Sequence, residues 1–142
     1  MMRFFRLAAS FLLSVLCAGI CLGSDAETQP MKELTDQWGV EIVNLRTTAE
    51  GYMLDFRYRV IDPDKSMTLL DRKTKPYLID PRNGAKIPVV TSRFGSMRST
   101  TTRPIANRIY TVLFVNPGKS IKKGDKLTVV MGDFKAENVA VN

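Results

Sequence analysis

Tyr52-Met53-Leu54-Asp55-Phe56-Arg57-Tyr58-Arg59-Val60-Ile61 alternates almost perfectly: Tyr52, Leu54, Phe56, Tyr58 and Val60 fall on one face, Asp55, Arg57 and Arg59 on the other. A side-chain period of two is the mark of a half-buried β-strand, because successive Cβ atoms of an extended chain point to opposite faces. Asp62-Pro63-Asp64 closes the run, since proline fixes its own backbone and donates no hydrogen bond.

Similar signals flank it on both sides. Upstream, Glu50-Gly51 reads as a turn, and Gly39 to Arg46 sets Val40, Ile42 or Val43, and Leu45 against Glu41, Asn44 and Arg46. That pattern predicts a strand with one irregularity. Downstream, residues 66 to 70 suit one helical turn or a short edge strand. Tyr77-Leu78-Ile79, the turn residues Asp80-Pro81-Arg82-Asn83-Gly84 and the run Ala85 to Val90 predict a β-hairpin. Pro88 places its second arm at a sheet edge. Thr91 to Asn107 is poor in apolar residues and is expected to be the longest irregular segment. Arg108 to Val115 is apolar on nearly both faces, the pattern of a central strand covered on two sides. Asn116-Pro117-Gly118 breaks it, Lys122-Lys123-Gly124-Asp125 is a further turn, and Leu127 to Met131 and Phe134 to Val141 are the last extended pieces.

About seven short strands with turn signals every 8 to 12 residues predict an all-β fold, an antiparallel immunoglobulin-like sandwich. The order of Gly51-Tyr52 opening an alternating strand, Leu70-Asp71, the Asp80 to Gly84 hairpin and Tyr110 in a central strand resembles small exported immunoglobulin-like domains over residues 38 to 142. The resemblance is architectural and implies no functional residue.

The ends of the chain add an address. Arg3 and Arg6 precede an apolar run from Leu7 to Cys21 that ends in small residues, the pattern of a cleavable secretory signal peptide over residues 1 to 26. Cleavage is expected after Ala26, with Gly23 as the other site. The run is 15 residues long, short of the roughly 20 needed to span a bilayer as a helix, so no transmembrane segment is expected. Residues 27 to 37 read as a flexible arm in which Met31 and Leu34 can start a helical turn, and residues 38 to 142 as a single domain. The expected location is periplasmic or extracellular.

Both cysteines, Cys17 and Cys21, fall within the leader, and the chain has no histidine. A mature domain beginning after Ala26 therefore has neither thiol nor imidazole, which removes disulfides and most nucleophile-base pairs. A cryptic hydrolase would need Ser96, Ser99 or Ser120 beside a lysine, or paired carboxylates among Asp62, Asp64, Asp71 and Asp80. Asp62, Asp64 and Asp71 lack the ligand order of a calcium loop. Met53, Met67, Met97 and Met131 offer soft sulfur to monovalent copper, the reading that makes the chain a metal-handling protein. No resident cofactor is expected.

Charge supplies the favoured reading. The whole chain carries +7, and losing Arg3, Arg6 and Asp25 with the leader leaves +6. Arg72, Lys73, Lys75, Arg82, Lys86, Arg93, Arg98, Arg103 and Arg108 share their 37-residue stretch with one acid, Asp80. Such a concentration attracts anionic partners. Export and the single stacking aromatic, Phe94, argue against nucleic acid. The expectation is a non-enzymatic envelope protein that binds a protein or an anionic surface through the hairpin and loop from Arg72 to Arg108. Arg57 and Arg59 form a second candidate face, unless they pair across strands with Glu41 or another acid.

Overall fold

The computed structural model of the chain describes residues 28–142. The expected leader, its cleavage site and both cysteines lie outside the described residues.

The described residues are mostly β, with antiparallel sheets. Helix α1 (Thr28–Trp38) leads into β1 (Val40–Thr48) and, after a 3-10 turn at Ala49–Gly51, β2 (Met53–Val60). Helix α2 (Pro63–Leu70) precedes the hairpin of β3 (Pro76–Asp80) and β4 (Ala85–Pro88). A two-residue pair follows, β5 (Thr91–Ser92) with β6 (Gly95–Ser96), then β7 (Ile109–Val115), β8 (Lys126–Met131) and β9 (Phe134–Ala140). One sheet has the order β1-β2-β7 and the other β4-β3-β8-β9.

The period-two reading of β2 holds where it mattered. Leu54, Phe56, Tyr58 and Val60 are buried and Tyr52, just before the strand, is 57% exposed. Tyr58 stacks between Phe56 and Tyr110. Both sheets feed one apolar cluster, with Leu45, Phe56, Val112 and Phe114 from the first and Leu78, Leu127, Val129 and Phe134 from the second. The irregularity in β1 is a register shift between Ile42 and Asn44 against β2, one residue more on one strand than on its partner.

Several expectations change. The arm is, from Thr28, helix α1. Leu34 and Trp38 pack on the core, and Trp38 meets Phe134 edge-on with centroids 6.0 Å apart. Gly39 ends the helix rather than beginning the strand: its N–H donates to Thr35 O, and its carbonyl accepts the N–H groups of Ile61 and Asp62. Its φ is +64°, and a Cβ there would lie 2.7 Å from both Asp62 Cβ and the Asp62 carbonyl oxygen, so only glycine fits this helix exit. Residues 63 to 70 are helical because Asp62 caps them, accepting from Asp64 N and Lys65 N, with Pro63 in the first turn.

The strand expected at the centre, β7, stands last in its sheet, and β2 is central instead. Tyr110, Val112 and Phe114 are buried, while Ile109 is exposed and Thr111, Leu113 and Val115 are half-buried. Its outer edge is covered by the segment expected to be irregular: Val90 N donates to Leu113 O, Leu113 N to Met97 O and Ser99 N to Thr111 O. Pro88 does sit in an edge strand, where no ladder bond needs its missing N–H.

The hairpin turn is held by Asp80, whose carboxylate accepts the Arg82 backbone N–H at 3.0 Å and the Arg82 guanidinium at 2.8–3.2 Å. Asp125 adds a second acid to Arg82 at 3.5 Å. The guanidinium holds the Asp80 carboxyl below the usual carboxylate range. A lowered native pKa contributes stability above the unfolded value of about 3.9, and that contribution disappears as pH falls through the native pKa. Asp80→Ala is therefore expected to cost about 1–2 kcal/mol at pH 7. Melting curves of both proteins at pH 7 and pH 2 should show the gap shrinking in acid.

Candidate basic clefts

The site begins at the C-terminal end of α2, whose last carbonyls have no partner within the helix. Arg98 supplies one. Its Nη2 donates to Leu69 O at 2.8 Å and Asp71 O at 3.0 Å, and its Nη1 donates to Thr74 O. Thr101 N adds a bond to Leu70 O at 3.1 Å. A cation at a helix C-terminus also meets the negative end of the dipole. Burial pushes the Arg98 guanidinium down from its ordinary value, against the opposing pull of Tyr58 and Asp71. Burial likewise pushes the Tyr58 phenol up, with Arg98 working the other way.

This clamp fixes the 71–75 loop. Asp71 Oδ1 accepts Lys73 N at 2.8 Å and Thr74 N donates to Asp71 O, an Asx-type turn that carries Arg72 and Lys75 on the exposed side. Opposite stands the β5–β6 hairpin, whose turn is closed by Ser92: its Oγ accepts Phe94 N and donates to Gly95 O. Phe94 at the tip is 87% exposed, with the Arg93 guanidinium 4.9 Å from its ring centroid.

Between loop and hairpin lies a cleft of about 600 Å³. Arg72, Lys75 and Arg98 provide its cations, Pro76, Pro88, Val89 and Phe94 its apolar surface, and Thr91, Ser96 and Thr100 its hydroxyls. A second recess of about 480 Å³ shares Arg98 and Thr100 and adds Arg103, Arg108, Ile105 and Tyr110. No carboxylate lines either one. The two recesses adjoin at Arg98 and Thr100, and together they make a cationic strip.

Of the nine cations in the basic band, five line this strip and Arg93 stands at its rim beside Phe94. Lys73 is exposed on the same loop. Arg82 is held by Asp80 at the far end of the β3–β4 hairpin, and Lys86 lies 5.0 Å from the Tyr77 ring centroid. Arg98 is not a free surface charge, because three backbone carbonyls occupy it. Sequence spacing gave no sign of that role.

The remaining candidates have structural tasks. Asp62 caps α2, Asp71 turns the loop and Asp80 holds Arg82. Ser99 Oγ accepts Thr111 N, and Ser120 Oγ donates to Asn116 Oδ1. Met131 is in the core, Met67 and Met97 are exposed, and Met53 lies in β2. Among the described residues no group of three or more His, Cys, Asp or Glu side chains is placed to hold a metal, and no helix is long and apolar enough to cross a membrane. On the second candidate face Arg59 pairs with Glu41 across the β1–β2 ladder at 3.1 Å. Buried Asp55 receives Arg46 and Arg57 at 3.2 and 2.9 Å, so those arginines are paired.

Comparison of the chain with protein-family models, with curated proteins and with solved structures finds no match.

Proposed function

We propose that this chain is an exported, non-enzymatic binding or accessory protein of the cell envelope, built as an immunoglobulin-like sandwich, that engages an anionic protein or surface through the strip centred on Arg98. The observation that carries the reading is the pair of adjoining recesses with five cations and no carboxylate in their lining. A recess of one sign focuses the field on whatever enters it. The sandwich rests on the strand orders β1-β2-β7 and β4-β3-β8-β9 and on the apolar cluster to which both sheets contribute. Export rests on the leader pattern of residues 1 to 26. The structural tasks of Asp62, Asp71, Asp80, Ser99 and Ser120 favour a binding role over catalysis.

Retention on an anionic matrix tests the reading. The wild type is expected to be held at about 0.05 M salt and released toward 1 M, where the Debye length falls to about 3 Å. Arg72→Glu with Lys75→Glu should lower low-salt retention about tenfold while leaving the fold intact. Retention that ignores salt, or a double variant that binds as well as wild type, would overturn the proposal.

A further inference from the structure

The cleft has two chemical halves, and together they specify more than a negative charge. Arg72 and Lys75 stand exposed on the loop side, and no ion pair or hydrogen bond engages either ammonium or guanidinium group among the described residues. Exposed Pro88 and half-buried Val89 give the same cleft an apolar surface, and the Phe94 ring is almost wholly exposed. A ligand that satisfies both halves carries an anion and an apolar side chain on one short segment.

We infer that the cleft seats an extended acidic peptide segment that sets one apolar side chain between Phe94 and the proline surface, its carboxylates facing Arg72 and Lys75. The inference rests on the anionic-partner reading above and narrows it to one partner chemistry. About 600 Å³ lies within the size range of clefts that hold small ligands, room for a side chain or two of a bound segment. The second recess, which shares Arg98 and Thr100, adds Arg103 and Arg108, so an extended chain that reaches it, at roughly 3.3 Å per residue, meets further cations with further acidic residues. An anionic lipid surface would engage the projecting Phe94 and Arg93 but leave the half-buried Val89 and the cleft between hairpin and loop unfilled. Aromatic residues and arginine are also enriched at protein–protein interfaces.

The test uses the purified protein and three labelled peptides followed by fluorescence anisotropy: aspartates flanking a leucine, the same peptide with glycine for leucine, and a lysine peptide. Vesicles containing about one-third phosphatidylglycerol form a separate arm. The leucine peptide is expected to bind about tenfold more tightly than the glycine peptide, and the lysine peptide not at all. Phe94→Ser, at an exposed tip where folding does not depend on the ring, should erase the leucine advantage and leave the glycine peptide's affinity unchanged. Arg72→Glu with Lys75→Glu should weaken both acidic peptides. Equal affinity for the leucine and glycine peptides would overturn the apolar subsite. Co-sedimentation with vesicles without peptide binding would overturn the peptide inference and leave the anionic-partner reading standing, whereas loss of salt-sensitive retention as well would remove both.

Discussion

Asn116→Ala is expected to lower stability by about 3–5 kcal/mol, although the residue has no charge and does not belong to the apolar core. Asn116 is 1% exposed, and its Nδ2 donates to Gly51 O and Ile121 O, each at 2.8 Å. Its Oδ1 accepts Ile121 N at 3.0 Å. Its backbone N–H also donates to Tyr52 O. One side chain thus joins the turn before β2, the end of β7 and the approach to β8, where Ile121 is itself buried. Alanine strands two carbonyls and one N–H in an interior that offers them little water, and each orphaned group costs about 1–3 kcal/mol. The three share one locality, so the total falls below their sum. Thermal unfolding should shift down by at least about 10 °C for a domain of this size. A shift under about 3 °C would mean that the 116–121 turn relaxes to reach solvent and that Asn116 is not a tie between the sheets.

Asn116 also marks the limit of reading the chain in one dimension. The alternation from Leu54 to Val60 announced β2, the doubled apolar positions at Ile42 and Val43 announced the register shift in β1, and Asp80-Pro81-Arg82-Asn83-Gly84 announced the hairpin. Each is a local pattern fixed by backbone geometry, which sequence spacing expresses directly. Helix α1 was less legible, because its polar run holds few apolar residues and its place is set by tertiary contacts of Leu34, Trp38 and Gly39. For β7, apolar composition on both faces suggested two-sided cover, but β2 occupies the centre of the sheet and the face of β7 that carries Thr111, Leu113 and Val115 is only half-buried.

The basic strip divides in the same way. Its charge density was visible as nine cations against Asp80. Which of them remain available depends on partners far away in sequence. Asp125 reaches Arg82, and the carbonyls of Leu69, Asp71 and Thr74 reach Arg98 from 24 to 29 residues upstream. Spacing cannot express those contacts. Arg59 is the contrasting case: its pairing with Glu41 was already one of the two readings of the alternating strands, and the β1–β2 register makes the two direct partners.

Arg98→Lys is the substitution that separates charge from geometry in the strip, and it is expected to weaken both the fold and anion binding at constant net charge. A guanidinium presents a planar fork of N–H donors, which here spans three carbonyl oxygens; an ammonium on a shorter stem is a point charge. Lysine can satisfy one of those carbonyls well, so the others lose a charge-assisted bond. The expected loss is about 2–3 kcal/mol, since each hydrogen bond to a charged group is worth about 1.5–3 kcal/mol and water replaces part of it. The freed segment is the 71–75 loop that carries Arg72 and Lys75. Amide exchange should therefore accelerate at Thr74, whose N–H donates to Asp71 O, and more than at Phe56 or Val112 in the β2–β7 ladder. Retention on the anionic matrix should fall severalfold under conditions where the variant is still folded. Arg98 would then be a positioning residue that acts through Arg72 and Lys75, because a charge count alone predicts no change in binding. Full retention by a variant with a loosened loop would show that the anion reads total charge rather than the placed loop. Unchanged exchange at Thr74 would show that the three-carbonyl clamp does not set the loop.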